Sequence, residues 1–267
     1  MSDTKPTLVL VPGAWYHIDT YHKLIAVLEG QGFRCVPVAL PSSTTHDPAT
    51  TFLDDLQAVR RAIVAETDQG RDVVVVVHSY GGLPGHSASK GLTLPRGGGG
   101  GGGGDSTTDK HGHVLGFVGL ATGFTVTGKT LLDGMGGAPP PLWRIDEETG
   151  FAVVQGDARD AFYHDLPEAE GAQWVARLGR QTMRSLREGG EHTYSAWLDV
   201  PSWYVVATED RAAPAFVQRM FVQQAIDAGG EVTVRELPTS HSPMLSMPVE
   251  TAQIIAEAVA EFVARKG

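Results

Sequence analysis

Val73-Val74-Val75-Val76-Val77-His78-Ser79-Tyr80-Gly81-Gly82 decides how this chain is read. Five consecutive valines leave no polar face. A strand tolerates such a run only where helices cover both sides of its sheet, as in the centre of a parallel α/β layer. The strand is predicted from Asp72 to Val77, and the residues after Ser79 read as helix to about Leu92. A sharp strand-to-helix turn at that point pushes a serine hydroxyl out above the sheet. Small residues beside it let the helix pack close to the strand. Gly81 and Gly82 supply these after Ser79. The position two before Ser79, usually glycine or alanine in such turns, is Val77, which counts against tight packing there.

Upstream, Thr7 to Val11 is a buried strand closed by Pro12-Gly13. Asp19 to Glu29 carries Tyr21, Leu24, Ile25 and Leu28 at helical spacing, and Phe33 to Val38 is a second strand. Asp47-Pro48 is predicted to open a helix through Phe52, Leu56, Val59 and Ile63. Downstream, His113 to Leu120, Ser202 to Ala207 and Glu231 to Glu236 read as strands, with helices over Ala213 to Ala228 and Pro248 to Lys266. This alternation predicts an α/β fold with a doubly wound, mostly parallel sheet and right-handed crossovers.

The interval 123–197 breaks the rhythm. It is too long for a crossover and is rich in aromatics, including Trp143, Phe162, Trp174 and Trp197. We expect a largely helical cap inserted into a core formed by 1–122 and 198–267. Residues 97–104 are eight consecutive glycines within a stretch, 96–110, that reads as a flexible surface loop. The run matches the pattern G-x-G-x-x-G trivially, since it neither follows a strand nor opens a helix.

Composition narrows the function. The chain has 267 residues, 42% of them hydrophobic and 19% charged, enough for a large core. Its net charge of −10 would repel phosphate backbones, so no nucleic-acid partner is expected. Cys35 is the only cysteine and excludes an internal disulfide, which fits a reducing compartment. The start, Met-Ser-Asp-Thr-Lys-Pro, has no basic region followed by a long apolar run, so no signal peptide is expected, and no stretch approaches the length of a membrane span. A cytoplasmic protein without a membrane partner, monomeric or homodimeric, is expected.

The residues around Ser79 fit nucleophilic catalysis. The backbone N–H of Tyr80 would point at a developing oxyanion, and the loop after the first strand, Pro12-Gly13-Ala14-Trp15, offers a second donor at Ala14. The acid should follow a late strand, where Thr208-Glu209-Asp210 stands; Asp210 is preferred and Glu209 is the alternative. The base should follow the last strand, where His241 lies in Thr239-Ser240-His241-Ser242-Pro243. The order Ser, Asp, His is the one this architecture requires. His78 should point away from Ser79, because neighbouring strand residues alternate faces.

With these residues in view, the chain resembles the α/β-hydrolase superfamily, and within it the branch of small esterases and hydroxynitrile lyases that includes plant methyl-salicylate esterase. It is closer still to fungal and bacterial relatives that open with a Val-Pro-Gly-Ala-Trp-type segment. Val11 to Trp15, His78 to Gly82, Ala207 to Asp210 and Ser240 to Pro248 carry the resemblance. It implies a Ser79–His241–Asp210 triad, an oxyanion hole from the Ala14 and Tyr80 N–H groups, and no cofactor. Pro12 departs from the pattern, since many relatives carry histidine there, as do Val77 and the polyglycine run.

Trp15, Phe124 and Trp143 are the candidate substrate-pocket residues. The expected substrate is a small, largely apolar ester, lactone or ketone. Hydrolysis of an ester or lactone through an acyl-enzyme is the first reading. C–C bond cleavage of the β-diketone or retro-Claisen type on the same triad is the second, and a catalytically weak ligand-binding relative, motivated by Val77, is the third. Hydroxynitrile lyases of this branch carry threonine in the oxyanion loop and lysine after the histidine, where this chain has Gly13 and Ser242.

Two motifs are set aside. Gly123 to Thr130 matches the P-loop pattern, but the glycines and prolines that follow leave little helix to face a phosphate. His111-Gly112-His113 has no acidic or cysteine partner at metal-ligand spacing, so no metal is expected.

Overall fold

The strands are β1 (Thr7–Val11), β2 (Cys35–Pro37), β3 (Val73–His78), β4 (Val114–Leu120), β5 (Trp143–Asp146), β6 (Phe151–Val154), β7 (Ser202–Ala207) and β8 (Val232–Leu237). Six of them form one sheet in the order β2-β1-β3-β4-β7-β8, and every pairing in it is parallel. The computed structural model describes residues 5–94 and 111–266; the polyglycine run lies outside them.

The helices are α1 (His22–Gly30), α2 (Pro41–Thr44), α3 (Phe52–Thr67), α4 (Gly82–Ala88), α5 (Leu131–Gly134), α6 (Ala158–Tyr163), α7 (Glu168–Ala176), α8 (Met183–Arg187), α9 (Ala215–Asp227), α10 (Pro243–Ser246) and α11 (Pro248–Lys266). α1 and α11 pack together, with α11 against β4; α3 packs on α4, and α9 on β7.

The valines of β3 behave as their pattern requires. Val77 faces Gly85 in α4, whereas Val74 lies in register with Gly116, against which the ring of Phe262 in α11 packs. In-register residues of a parallel pair share a face, and 74 and 77 differ in parity. The two helices therefore cover opposite faces, and every residue of β3 is buried.

Two helix ends and the content of one interval depart most from the sequence expectation. Helix α3 begins at Phe52 because Thr51 and Asp54 form a capping box. The Asp47 carboxylate instead accepts the Ala49 N–H within a turn, at 2.9 Å. Helix α4 stops at Ala88, and Thr93 then bridges to Val114. The interval 123–197 is mostly short helices, but it also holds the antiparallel hairpin β5–β6. Its turn runs from Asp146, whose side chain accepts the Glu148 and Thr149 N–H groups, to Gly150 at φ +74°. That Asp-to-Gly signature between two short apolar runs is the one local clue to the hairpin.

Since the sheet is parallel, the loops after β1, β3, β4, β7 and β8 all emerge at one edge. That edge is where open α/β sheets place their ligands.

Candidate active site

Three described non-glycine residues adopt positive φ: Trp15 (65°), Ser79 (50°) and Ala121 (46°). All three lie beyond strand ends at that edge, and all three line one cavity. A left-handed backbone costs a side-chain-bearing residue on the order of 1–2 kcal/mol, so surrounding contacts must hold it. At Ser79, Thr122 Oγ1 donates to the serine's own carbonyl at 2.5 Å. Gly81 lies against the carbonyls of Val11 and Pro12, and Gly82 against Thr122, where any Cβ would collide. Val77 is accommodated from the other side. Its Cγ1 occupies the place a Cβ on Gly85 would take. A small residue on the strand usually leaves that space; in this protein the helix leaves it.

The loops after β7 and β8 bring Asp210 and His241 together. His241 Nδ1 and Asp210 Oδ2 are 2.6 Å apart, and both residues are buried, at 3% and 5% exposure. Asp210 accepts three further bonds, from the Ala212 N–H (2.7 Å), the Ala213 N–H (2.9 Å) and Gln218 Nε2 (3.0 Å). Four donors thus converge on one carboxyl group and fix it beside the imidazole. An Nδ1–H donated to a carboxylate leaves the Nε2 lone pair of His241 free to take a proton. Glu209 is exposed, and its carbonyl accepts from His164 Nε2 at 2.9 Å. Of the two acids, Asp210 is therefore the one whose carboxylate meets His241. Gln218, which also ties together Ala207 and Ala213, carried no sequence signal.

His78 does not line the cavity, but it is more than a strand residue turned away. Its ring lies 4.8 Å from that of His241, and its Nε2–H donates to the His241 carbonyl at 2.8 Å. Burial holds its pKa well below the ordinary histidine value, helped by the neighbouring His241. The imidazole is thus neutral, an uncharged prop for the loop that carries His241. Tyr16 closes another side, with its ring against both histidines and its hydroxyl bonded to Ser242 Oγ at 2.8 Å.

A strap from the end of α6 holds both loops. Asp165 Oδ2 accepts from the Ser240 N–H (2.8 Å) and Thr239 Oγ1 (2.9 Å), the Phe162 carbonyl accepts from Ser240 Oγ, and His164 holds the Glu209 carbonyl. Burial pushes the Asp165 pKa up, but the bonds donated by Ser240, Ser246 and Thr239 outweigh it, and the net shift is downward.

The cavity has a volume of about 200 Å³ and opens to solvent. Ala14, Tyr80, Trp15, Phe124 and Trp143 all line it together with Ser79. Lys129, exposed, is the sole charged residue among those lining it. Much of one wall is Gly123 to Thr130, the stretch whose P-loop likeness failed; it serves as a surface of the cavity.

Behind Tyr80 lies a buried carboxyl group that periodicity placed only on a helix. Asp55 accepts the Tyr80 hydroxyl (2.7 Å), the Ser42 N–H (2.8 Å) and Ser42 Oγ (2.5 Å). Gln181 continues the network to Ser42, Ser43 and Ser185. Burial raises the Asp55 pKa to about 6, against the opposing bonds from Ser42 and Tyr80.

His111 does find an acidic neighbour that spacing concealed, Asp68 at 3.6 Å. Both are exposed, and among the described residues no three His, Cys, Asp or Glu side chains gather as a metal site would need. Nor is any described helix long and apolar enough to cross a membrane.

The chain is 29% identical over 265 residues to the alpha/beta hydrolase nvfD of Aspergillus novofumigatus, covering 97% of this chain and 98% of that one. It is 26% identical over 269 residues to the pyrethroid hydrolase of Sphingobium wenxiniae, covering 97% and 88% respectively. The crystal structure of the Arabidopsis methylesterase MES16 superposes with a TM-score of 0.69 over 96% of this chain and 99% of that one, at 17% identity. The model of the alpha/beta hydrolase family matches residues 8–254, and the chain, with its parallel six-stranded sheet, belongs to that family.

Proposed function

We propose that this protein hydrolyses small, largely apolar carboxylic esters or lactones, with Ser79 as nucleophile, His241 as general base and Asp210 as its partner. The observation that carries the reading is the buried 2.6 Å His241–Asp210 pair, at the sheet edge where Ser79 takes its left-handed turn. Relatives named pyrethroid hydrolase and methylesterase support ester chemistry. Residues 123–197 act as the cap over the site.

In this mechanism Ser79 Oγ attacks the substrate carbonyl as its proton passes to His241 Nε2. The oxyanion is met by the N–H groups of Ala14 and Tyr80, each contributing about 3 kcal/mol to the barrier reduction when well aimed. The tetrahedral adduct collapses, the alcohol leaves with the proton from His241, and an acyl-enzyme remains. Water, losing a proton to His241, attacks the ester carbon, and the acid departs as Ser79 regains its proton. Asp210 keeps the imidazole in the required tautomer and balances its transient charge.

Turnover of p-nitrophenyl acetate and butyrate tests this. Ser79→Ala should lower kcat by at least about 10⁴-fold, on the order of losses that follow removal of a nucleophile. Retained turnover would overturn the assignment. Product analysis on a β-diketone panel separates ester hydrolysis from C–C cleavage on the same residues.

A further inference from the structure

Beside the cavity at Ser79 lies a second hollow of about 190 Å³, between α9 and the turn Ala196–Leu198. The two share Phe124, Val126, Phe221 and Gln224 as a common wall and rim. The hollow continues over Trp197, Leu198, Ala225 and Ala228, and no charged side chain lines it.

Its polar groups are already engaged. Trp197 Nε1–H and Ser195 Oγ–H both donate to the Thr125 carbonyl, at 2.7 and 2.8 Å, and Ser195 Oγ accepts the Thr127 N–H at 3.0 Å. Only Gln224, exposed on the rim, offers an amide. The floor is rigid, because the Phe124 ring packs edge-on to Trp197 at 5.3 Å and stacks on Tyr204 at 5.7 Å. A fixed apolar surface whose hydrogen-bonding groups are internally satisfied gains free energy from hydrocarbon and little from polar ligands.

We infer that the hollow is a distal subsite that takes an apolar chain or ring from an elongated ester whose carbonyl sits at Ser79. This rests on the proposed esterase reading and narrows its substrate class to esters with an extended hydrocarbon part.

The test is kcat/KM for monomeric p-nitrophenyl esters from acetate to decanoate, on the wild type and on Ala228→Trp. Ala228 is exposed at the end of α9, so a large ring there fills the hollow without entering the core. In the wild type, kcat/KM should rise with chain length once the chain reaches the hollow. The gain should be about twofold to fourfold per methylene, the upper figure corresponding to about 0.8 kcal/mol. In Ala228→Trp the decanoate-to-acetate ratio should fall at least tenfold. Leu198→Gln, which puts an amide on the same surface, should lower that ratio in the same direction. A wild-type profile that declines steadily from acetate, or a ratio unchanged in both variants, overturns the subsite. Failure of the esterase reading is distinct: no ester of any length would be turned over, and Ser79 would not be acylated.

Discussion

Asp210 shows how much a single position can settle. In the sequence, Asp210 and Glu209 are hard to tell apart, since each is an acid in a loop after a strand. Burial and four converging donors separate them. Asp210→Asn replaces one acceptor oxygen by an amide, which turns the imidazole toward the wrong tautomer; we expect kcat to fall on the order of 10⁴-fold with little loss of fold. A variant within tenfold of wild type would mean that Asp210 does not set the tautomer of His241. Asp55 carries the second residue-scale prediction. Its carboxyl pKa rises from 3.8 to about 6 on folding, so it favours the folded state when protonated. That contribution is fully present below about pH 4 and is lost as pH rises through 6. The stability advantage of wild type over Asp55→Asn should therefore shrink between pH 4 and 7, by up to about 3 kcal/mol, in paired urea titrations. A gap that widens with pH would contradict it. Neither Asp55 nor Gln218 was legible, because periodicity assigns a face and not a hydrogen-bond partner.

At the scale of elements, the contact between β3 and α4 explains why Val77 is compatible with the turn. Position 77 taken alone argues against tight packing, whereas the requirement for a small residue belongs to the contact and is met at Gly85. Gly85→Ala should cost about 1–3 kcal/mol through overpacking. Adding Val77→Ala should recover part of that loss, so the two changes couple favourably in thermal unfolding. Simple additivity would show that the side chains do not meet. The central strands were legible because runs such as the five valines have one stable environment. The hairpin β5–β6 was not, as its alternation spans only four residues a strand. The strap at Phe162–Asp165 escaped detection because its bonds join segments about 75 residues apart.

Across the whole molecule, the parallel α/β sheet followed from the alternation of strands and helices, whereas the order β2-β1-β3-β4-β7-β8 had to be read from the structure. The distal hollow had to be read there as well, because it depends on how α9 sits against a turn. Buried neutral histidines also act on the molecule as a whole. Burial lowers His86 to about 3 and holds His78 well below 6.5. A depressed histidine contributes stability above its unfolded value near 6.5, and that stability is lost as pH falls. Thermal unfolding should therefore show Tm dropping from pH 6.5 toward 4, despite the opposite contribution of Asp55, and His86→Gln should lessen the drop. A Tm that stays level in wild type would contradict this. The central claim is that Ser79 is an activated nucleophile. Labelling with a fluorophosphonate followed by peptide mapping tests it most directly: one adduct on Ser79, absent in Ser79→Ala and strongly slowed in His241→Ala, is the expected result, and an unlabelled protein or an adduct on another serine would contradict it.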